Sequence, residues 1–214
     1  MPPGMGSPPI RERLGSLWLS SSSAAWRDAL ASYDDVVARQ GVARLAELDR
    51  WYRDELPGAI AARRSPHVTH DELVRLTEWK MARGVWRAPN LILVRGNDAR
   101  LVIETSTEAL AAVPHPTKPI ATLATLAGVG PATASAAVSA FAPERYPFFD
   151  ELVAAQVPKL AGSAVKWTMP YYATYADALR ERAAALGDDW TPTTVERALW
   201  AAVGGKAGKN GLAT

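Results

Sequence analysis

The residues best suited to chemistry are the glycines of a short turn and an aspartate that follows them along the chain. Gly128-Val129-Gly130 interrupts a run of small apolar residues, and Asp150 comes directly after Phe148-Phe149. Because glycine has no Cβ, the backbone amides of such a turn and the N-terminus of the helix after it can face an anion. A phosphate group is the natural ligand for this arrangement.

The segment around these glycines is predicted to form a helix-hairpin-helix from Leu123 to Phe141. Residues 119–150 read PIATLATLAGVGPATASAAVSAFAPERYPFFD. The first helix ends at the glycines, and Pro131 stands where a second helix begins. An ordinary turn between two packed helices is the alternative interpretation. The second helix shows the spacing of one apolar helical face at Ala134, Ala137, Val138 and Phe141.

The string LATLAGVGPATASAAVSAF closely resembles the LPGVGPKTA-type hairpin of the HhH-GPD (helix-hairpin-helix) superfamily of DNA glycosylases. In that superfamily, a Gly/Pro-rich stretch follows the hairpin and leads to an essential aspartate at the start of the next helix. Here residues 142–147 fill the stretch, and Asp150 falls where the aspartate of the superfamily falls. The resemblance implies an all-α, two-lobed fold with the hairpin and the aspartate at the mouth of a cleft.

The resemblance also implies a function. The expected protein binds double-stranded DNA, extrudes a damaged base and hydrolyses its N-glycosidic bond. The hairpin would hold the DNA backbone without regard to base sequence. Hairpins of this type often hold a monovalent cation through backbone carbonyls, so Na⁺ or K⁺ could bind here, while no cofactor is required. The hairpin residues expected to contact DNA are Gly128, Val129, Gly130, Ala132 and Thr133.

Asp150 has two interpretations. As a structural residue, it would cap the helix that runs through Val157. As a catalytic residue, its carboxylate would stabilise the positive charge that develops on the deoxyribose as the N-glycosidic bond breaks, and it would orient the attacking water. The resemblance implies that the residue does both.

Three departures from the superfamily pattern limit this chemistry. Bifunctional members have a lysine where this chain has Ala132, so a glycosylase here would be monofunctional and would use water. The superfamily often has a histidine shortly after the aspartate, whereas Glu151-Leu152 follows Asp150, which makes Glu151 a second candidate carboxylate. The chain has no cysteine, which excludes the iron–sulfur cluster of some branches. The alternatives are a non-catalytic DNA-binding or scaffold protein and a protein-interaction module in which the hairpin only packs.

Two further clusters, residues 78–87 and residues 166–172, combine aromatic and cationic side chains. Their rings could stack on an extruded base or form a wedge in the duplex, while their cations contact phosphates. The alternatives are an ordinary basic helix end with a packed tryptophan and, for the second cluster, packing between lobes. The candidate base-pocket or wedge residues are Trp79, Trp86, Trp167 and Tyr171, and the candidate phosphate contacts are Lys80, Arg83 and Arg87.

Composition sets outer bounds on these hypotheses. The 214 residues have a formal charge of +2, which permits nucleic-acid binding without requiring it. The lack of cysteine excludes disulfides and thiol nucleophiles, and three poorly spaced histidines make a metal site unexpected. No apolar stretch approaches the roughly 20 residues that span a bilayer. We expect an intracellular monomer that does not contact membranes.

The elements that must position these residues are short helices divided by proline and glycine. Thr69 and Glu72 are expected to form a capping box that begins a helix ending at Gly84. Leu56-Pro57-Gly58 is expected to end an earlier helix, which runs from Val42 to Glu55. About ten such helices predict an irregular all-α fold rather than an up-down bundle.

The expected domain organisation is simple. Residues 1–15 are rich in proline and glycine and predict a disordered leader. Residues 16–203 are expected to form a single helical domain. Residues 204–214 are rich in glycine and predict a flexible tail.

Overall fold

The computed structural model describes residues 17–207, within which all regular secondary structure is helical, as predicted. Each helix in this range is too short or too polar to span a bilayer. The predicted leader and residues 208–214 of the predicted tail lie outside the described residues. The helices are α1 (Ser23–Ala31), α2 (Tyr33–Arg39), α3 (Leu45–Arg50), α4 (Leu56–Ala61), α5 (His70–Arg83), α6 (Ala88–Arg95), α7 (Ala99–Ala111), α8 (Lys118–Leu123), α9 (Pro131–Phe141), α10 (Glu151–Ala154), α11 (Met169–Leu186) and α12 (Pro192–Ala202).

The core joins helices from the two ends of the chain to helices from its middle. Helix α12 packs on α1, α2 and α11, so the first and last helices lie side by side. Helix α5 lies at the centre, where it contacts α3, α6, α7 and α9. Buried side chains of both groups form one continuous hydrophobic core. The division into two lobes therefore stays a prediction.

The predicted capping box at the start of α5 is confirmed. The Thr69 hydroxyl accepts a hydrogen bond from the Glu72 amide at 3.3 Å, and the Glu72 carboxylate accepts one from the Thr69 amide at 2.8 Å. Two of the amides that a helix start leaves unpaired are satisfied in this way. Helix α5 ends at Arg83, directly before Gly84, as predicted.

The prediction that Leu56-Pro57-Gly58 ends a helix is wrong. A single π-helical turn, Trp51–Glu55, links α3 directly to α4, and Pro57 lies in the first turn of α4. In a regular α-helix, the ring of a proline clashes with the carbonyl of the residue four positions before it. The wider π turn lets the chain continue past the proline without a break.

The prediction that the first hairpin helix ends at the glycines is wrong, because α8 ends at Leu123. The turn between α8 and α9, residues 124–130, packs directly on α6. Gly128 has φ +75°, and a Cβ built on it would lie 2.5 Å from the carbonyl oxygen of Asn90 and 2.9 Å from the amide nitrogen of Val94. Asn97 fixes the same turn, since its side chain accepts from the Ala127 amide at 3.0 Å and donates to the Ala127 carbonyl at 2.9 Å. A Cβ on Gly130, by contrast, would project into open space.

The two glycines of the turn should therefore respond differently to alanine. Gly128→Ala is expected to lower the free energy of unfolding by about 2–4 kcal/mol, because it adds a clash to a strained positive φ. Gly130→Ala is the matched control and should cost less than about 1 kcal/mol. Urea unfolding of both variants measures the difference, and equal losses would contradict the packing of the turn on α6.

Candidate functional site

Asp150 is positioned by side chains that bond to the backbone just before it. Residues 146–150 have no regular secondary structure. The Ser135 hydroxyl accepts a hydrogen bond from the Phe149 amide at 2.9 Å, and the Tyr175 hydroxyl donates to the Phe148 carbonyl at 2.7 Å. Because Ser135 is on α9 and Tyr175 is on α11, the chain leading to the aspartate is held between two helices.

The Asp150 carboxylate caps α10, so the cap predicted for it is confirmed, although the helix ends at Ala154 and does not run through Val157. Its Oδ1 accepts hydrogen bonds from the amides of Leu152 at 2.7 Å and Val153 at 3.3 Å. Its Oδ2 lies 3.8 Å from Nε of Arg83. The residue is 8% exposed and lines an open pocket. One carboxylate oxygen therefore remains outside the cap.

Arg83 is buried, and the prediction that it contacts phosphate is wrong. Only 3% of the residue is exposed, and its Nη2 donates to Oε1 of Glu196 at 2.5 Å. A charge this deep in the protein must be paired with a carboxylate, because solvent cannot stabilise it. The guanidinium carbon lies 4.6 to 5.7 Å from the ring centroids of four aromatic residues, Tyr33, Trp79, Phe148 and Trp200.

Glu196 is a site residue that sequence reasoning missed. Burial raises the pKa of its carboxyl to about 7, although the positive charge of Arg83 favours the ionised form. The negative charge of Asp150 raises this pKa further. A lone glutamate beside the apolar residues Val195 and Leu199 was the available signal, but it could not identify a partner 113 residues earlier in the chain.

An open cleft runs from Asp150 to the N-terminus of α9. One pocket of about 290 Å³ lies against Asp150, and a second of about 180 Å³ lies against α9. Lys80, Arg87 and Trp167 line both pockets, so we treat the two as one surface and call it the cleft. The α9 end of the cleft is lined by Asn90, Gly130, Pro131, Ala132 and Thr133.

The N-terminus of α9 can accept an anion. Gly130 is the N-cap and has no side chain to cap the helix, and Pro131 follows it. The amides of Ala132 and Thr133 belong to the first turn, where a helix provides no carbonyl partner and carries a partial positive charge.

The other two predicted hairpin contacts, Gly128 and Val129, are used within the fold. The backbone at Gly128 packs on α6. Val129 is buried, and its amide donates to the Leu126 carbonyl at 3.1 Å. The part of the turn that faces the cleft therefore begins at Gly130.

Lys80 and Arg87 give the cleft positive charge. Partial burial lowers the pKa of the Lys80 ammonium, and the neighbouring Arg87 charge lowers it further. The negative charges of Asp150 and Glu151 oppose this shift. The Lys80 side chain is therefore within electrostatic reach of both carboxylates that line the cleft.

Trp167 is the aromatic candidate that lies in the cleft. The residue is 41% exposed, and its ring centroid lies 4.8 Å from the ring centroid of Phe149. Tyr171 is buried beside the same phenylalanine, at 5.9 Å, and does not line either pocket. Trp86 is 56% exposed between α5 and α6, outside the residues that line the cleft.

Trp79 belongs to the core, and the prediction that it contacts a base is wrong. The residue is fully buried. Its ring stacks on Tyr52 with centroids 3.7 Å apart, and its Nε1 donates to Asp49 Oδ1 at 2.9 Å. A ring enclosed in this way cannot reach a ligand in the cleft.

Residues 204–207, the described part of the predicted flexible tail, are hydrogen-bonded to the rest of the protein. The Gln40 side chain donates to the Gly204 carbonyl at 3.0 Å and accepts from the Ala207 amide at 2.9 Å. Lys206 donates to the Gly84 carbonyl at 2.7 Å and lines the cleft beside Asp150. These contacts could not be predicted from the glycine-rich composition, because no local pattern identifies Gln40 as the partner.

The 124–130 turn offers backbone carbonyls as cation ligands. It contains no acidic or histidine side chain. The carbonyls of Leu126 and Ala127 each accept one hydrogen bond, from the Val129 amide and the Asn97 side chain. Since a carbonyl oxygen has two lone pairs, both could still contact an ion. Neutral ligands of this kind fit a weakly held monovalent cation.

Ser135 should be needed to hold the chain before Asp150. Ser135→Ala is expected to lower the free energy of unfolding by about 1–3 kcal/mol, because the buried Phe149 amide loses its acceptor. Ser139→Ala is the matched control on the same buried face of α9, where the hydroxyl pairs with Thr193 at 3.2 Å. Thr193 also donates to the Pro143 carbonyl, so this loss should be smaller. Urea unfolding compares them, and a larger loss for Ser139→Ala would refute this role of Ser135.

No family model, curated protein or solved structure matches this chain. A functional assignment therefore depends on the cleft itself.

Proposed function

We propose that this protein binds double-stranded DNA in the cleft and hydrolyses the N-glycosidic bond of a damaged base. The observation that carries the proposal is that Asp150 and the uncapped N-terminus of α9 open on the same cleft. One end of the cleft suits a phosphate, and the other has a carboxylate that could act on the adjoining sugar.

The binding step would use charge without reading base sequence. A DNA phosphate would accept hydrogen bonds from the amides of Ala132 and Thr133, while Lys80 and Arg87 neutralise adjacent phosphates. A cation held by the turn carbonyls would add positive charge beside the same phosphate. The hairpin motif and the two-lobed architecture of the HhH-GPD superfamily are part of this proposal, since they rest on the resemblance of residues 119–150.

The base would leave the duplex and enter the pocket against Asp150. Its volume of about 290 Å³ is near the lower end of ligand pockets. The exposed ring of Trp167 offers a face on which an extruded base can stack. Contact through a ring face suits several bases, so the lesion would be selected by other groups in the pocket.

In the chemical step, the bond between C1′ and the base nitrogen breaks and leaves positive charge on the sugar. The Asp150 carboxylate would stabilise this charge, as preorganised groups do in other active sites. A water oxygen then bonds to C1′, its proton passes to the carboxylate, and the departing base takes up a proton. Because Ala132 replaces the lysine of bifunctional relatives, we expect base release without a covalent enzyme intermediate.

A non-catalytic DNA-binding protein is the second candidate. The observation that favours it is that the Asp150 carboxylate already serves as an N-cap and faces Arg83, so its presence has a structural explanation. In that case the cleft would bind the backbone and no bond would break.

Asp150→Asn should separate these two functions. Asparagine caps helices as well as aspartate does, and Glu196 still pairs with Arg83, so folding should be retained. The loss of charge should slow base release by at least about 100-fold. Asp98→Asn is the matched control, because Asp98 caps α7 in the same manner by accepting from the Leu101 amide at 2.9 Å. Duplexes with alkylated, oxidised, deaminated or undamaged bases, cleaved by alkali at abasic sites, measure release. Wild-type binding without release from any lesion would support the second candidate.

Lys80→Gln and Arg87→Gln should each weaken binding to damaged and undamaged duplex alike. Each phosphate contact that is lost should reduce the slope of log affinity against log salt by about 1. Arg27→Gln is the control, because Arg27 is an exposed residue of α1 that does not line the cleft. Fluorescence anisotropy at several salt concentrations measures the slope. An unchanged slope in both cleft variants would contradict the proposed binding surface.

A further inference from the structure

Three charged side chains form a line from the core to the cleft. Glu196 on α12 accepts a hydrogen bond from Arg83 Nη2 at 2.5 Å, and Arg83 Nε lies 3.8 Å from Oδ2 of Asp150. Arg83 is on α5, so its guanidinium spans the space between two carboxylates that come from different parts of the chain. We call these three residues the charge line.

The charge line is shielded from solvent for most of its length. Glu196 and Arg83 are buried, and Arg83 and Asp150 both line the cleft. Within the described part of the chain, Nε of Arg83 has no hydrogen-bond partner, and Oδ2 of Asp150 lies 3.8 Å from it. Charges that water cannot screen interact more strongly, and a change at one end is felt at the other.

The net charge of the line depends on Glu196. With all three groups ionised, two carboxylates and one guanidinium give a net charge of −1. With Glu196 protonated, Arg83 and Asp150 compensate each other and the net charge is zero. Protonation of Glu196 would therefore change the net charge of the line that ends at the cleft by one unit.

We propose that Glu196 is a positioning residue for Asp150, which acts through Arg83 to hold the guanidinium beside the carboxylate and to set the net charge presented to the cleft. This inference rests on the proposed function, in which Asp150 stabilises a positive charge on the sugar. An uncompensated Asp150 stabilises such a charge better than one fully paired with Arg83.

Burial raises the pKa of the Glu196 carboxyl to about 7, while the charge of Arg83 acts in the opposite direction. The charges that face it are Arg83, Asp150 and the neighbouring Arg197. The titratable phenols that interact with it are Tyr33, Tyr52 and Tyr175, whose pKa values burial raises above 10, so they stay neutral near pH 7. As the pH rises through about 7, Glu196 loses its proton and the charge line gains its net negative charge.

Carboxyl-carbon NMR of the full chain, labelled at aspartate and glutamate, tests the coupling without any need for activity. We expect the Glu196 resonance to titrate near pH 7 and the Asp150 resonance to shift with the same midpoint. Glu196→Gln keeps an acceptor for Arg83 but cannot ionise, so the shift of Asp150 near pH 7 should disappear. Glu104→Gln, which removes the negative charge beside the exposed Arg100, should leave that shift unchanged.

A wild-type Asp150 resonance that does not respond near pH 7 would overturn the proposal, even if Glu196→Gln failed to fold. For base release, we expect the wild-type rate to rise roughly tenfold between pH 6 and pH 8, the size of one pKa unit of interaction, and the Glu196→Gln rate to lack this rise. A coupled titration without base release from any lesion would refute the proposed function and leave the charge line intact. Release with the same pH profile in both proteins would refute the role of Glu196.

Discussion

Burial of the Arg83 guanidinium is the constraint on which the arrangement of this protein depends. A charge in a low-dielectric interior must be surrounded by partners that come from several directions. Here a carboxylate comes from α12, a second from the start of α10, and aromatic faces from Tyr33 and Trp200. Elements from the beginning, middle and end of the chain therefore converge on one cation. The same convergence brings Asp150 to the edge of the cleft.

A second constraint is the segment that leads from α9 to Asp150. Such a segment has backbone groups that no helix satisfies, and these groups must find other partners when they are buried. Hydroxyl groups supply them: Tyr172 donates to the Pro147 carbonyl, Tyr175 to that of Phe148, and Thr193 to that of Pro143. These hydrogen bonds satisfy irregular backbone and position the aspartate relative to α9.

The sequence predicted those features that depend on interactions between residues close together in the chain. The capping box of Thr69, the break before Pro131 and the cap at Asp150 each depend on atoms a few residues apart, and each is present. The sequence could not distinguish the buried cation, Arg83, from Lys80 and Arg87, which line the cleft. Arg83 is buried because it pairs with Glu196, far away in the sequence, and lies among aromatic rings. Trp79 was misplaced for the same reason, since its indole bonds to Asp49.

The close packing of Gly128 on α6 has a consequence for how a duplex would be accommodated. The backbone at Gly128 contacts the backbone of α6 with no side chain between them. The turn therefore cannot move toward α6 without displacing that helix. The amides that follow it are thus already ordered before any partner arrives, so little conformational entropy remains to be lost on association. In the proposed function, such a rigid turn would leave the deformation to the DNA, and sequences or lesions that bend easily would be favoured without being read directly.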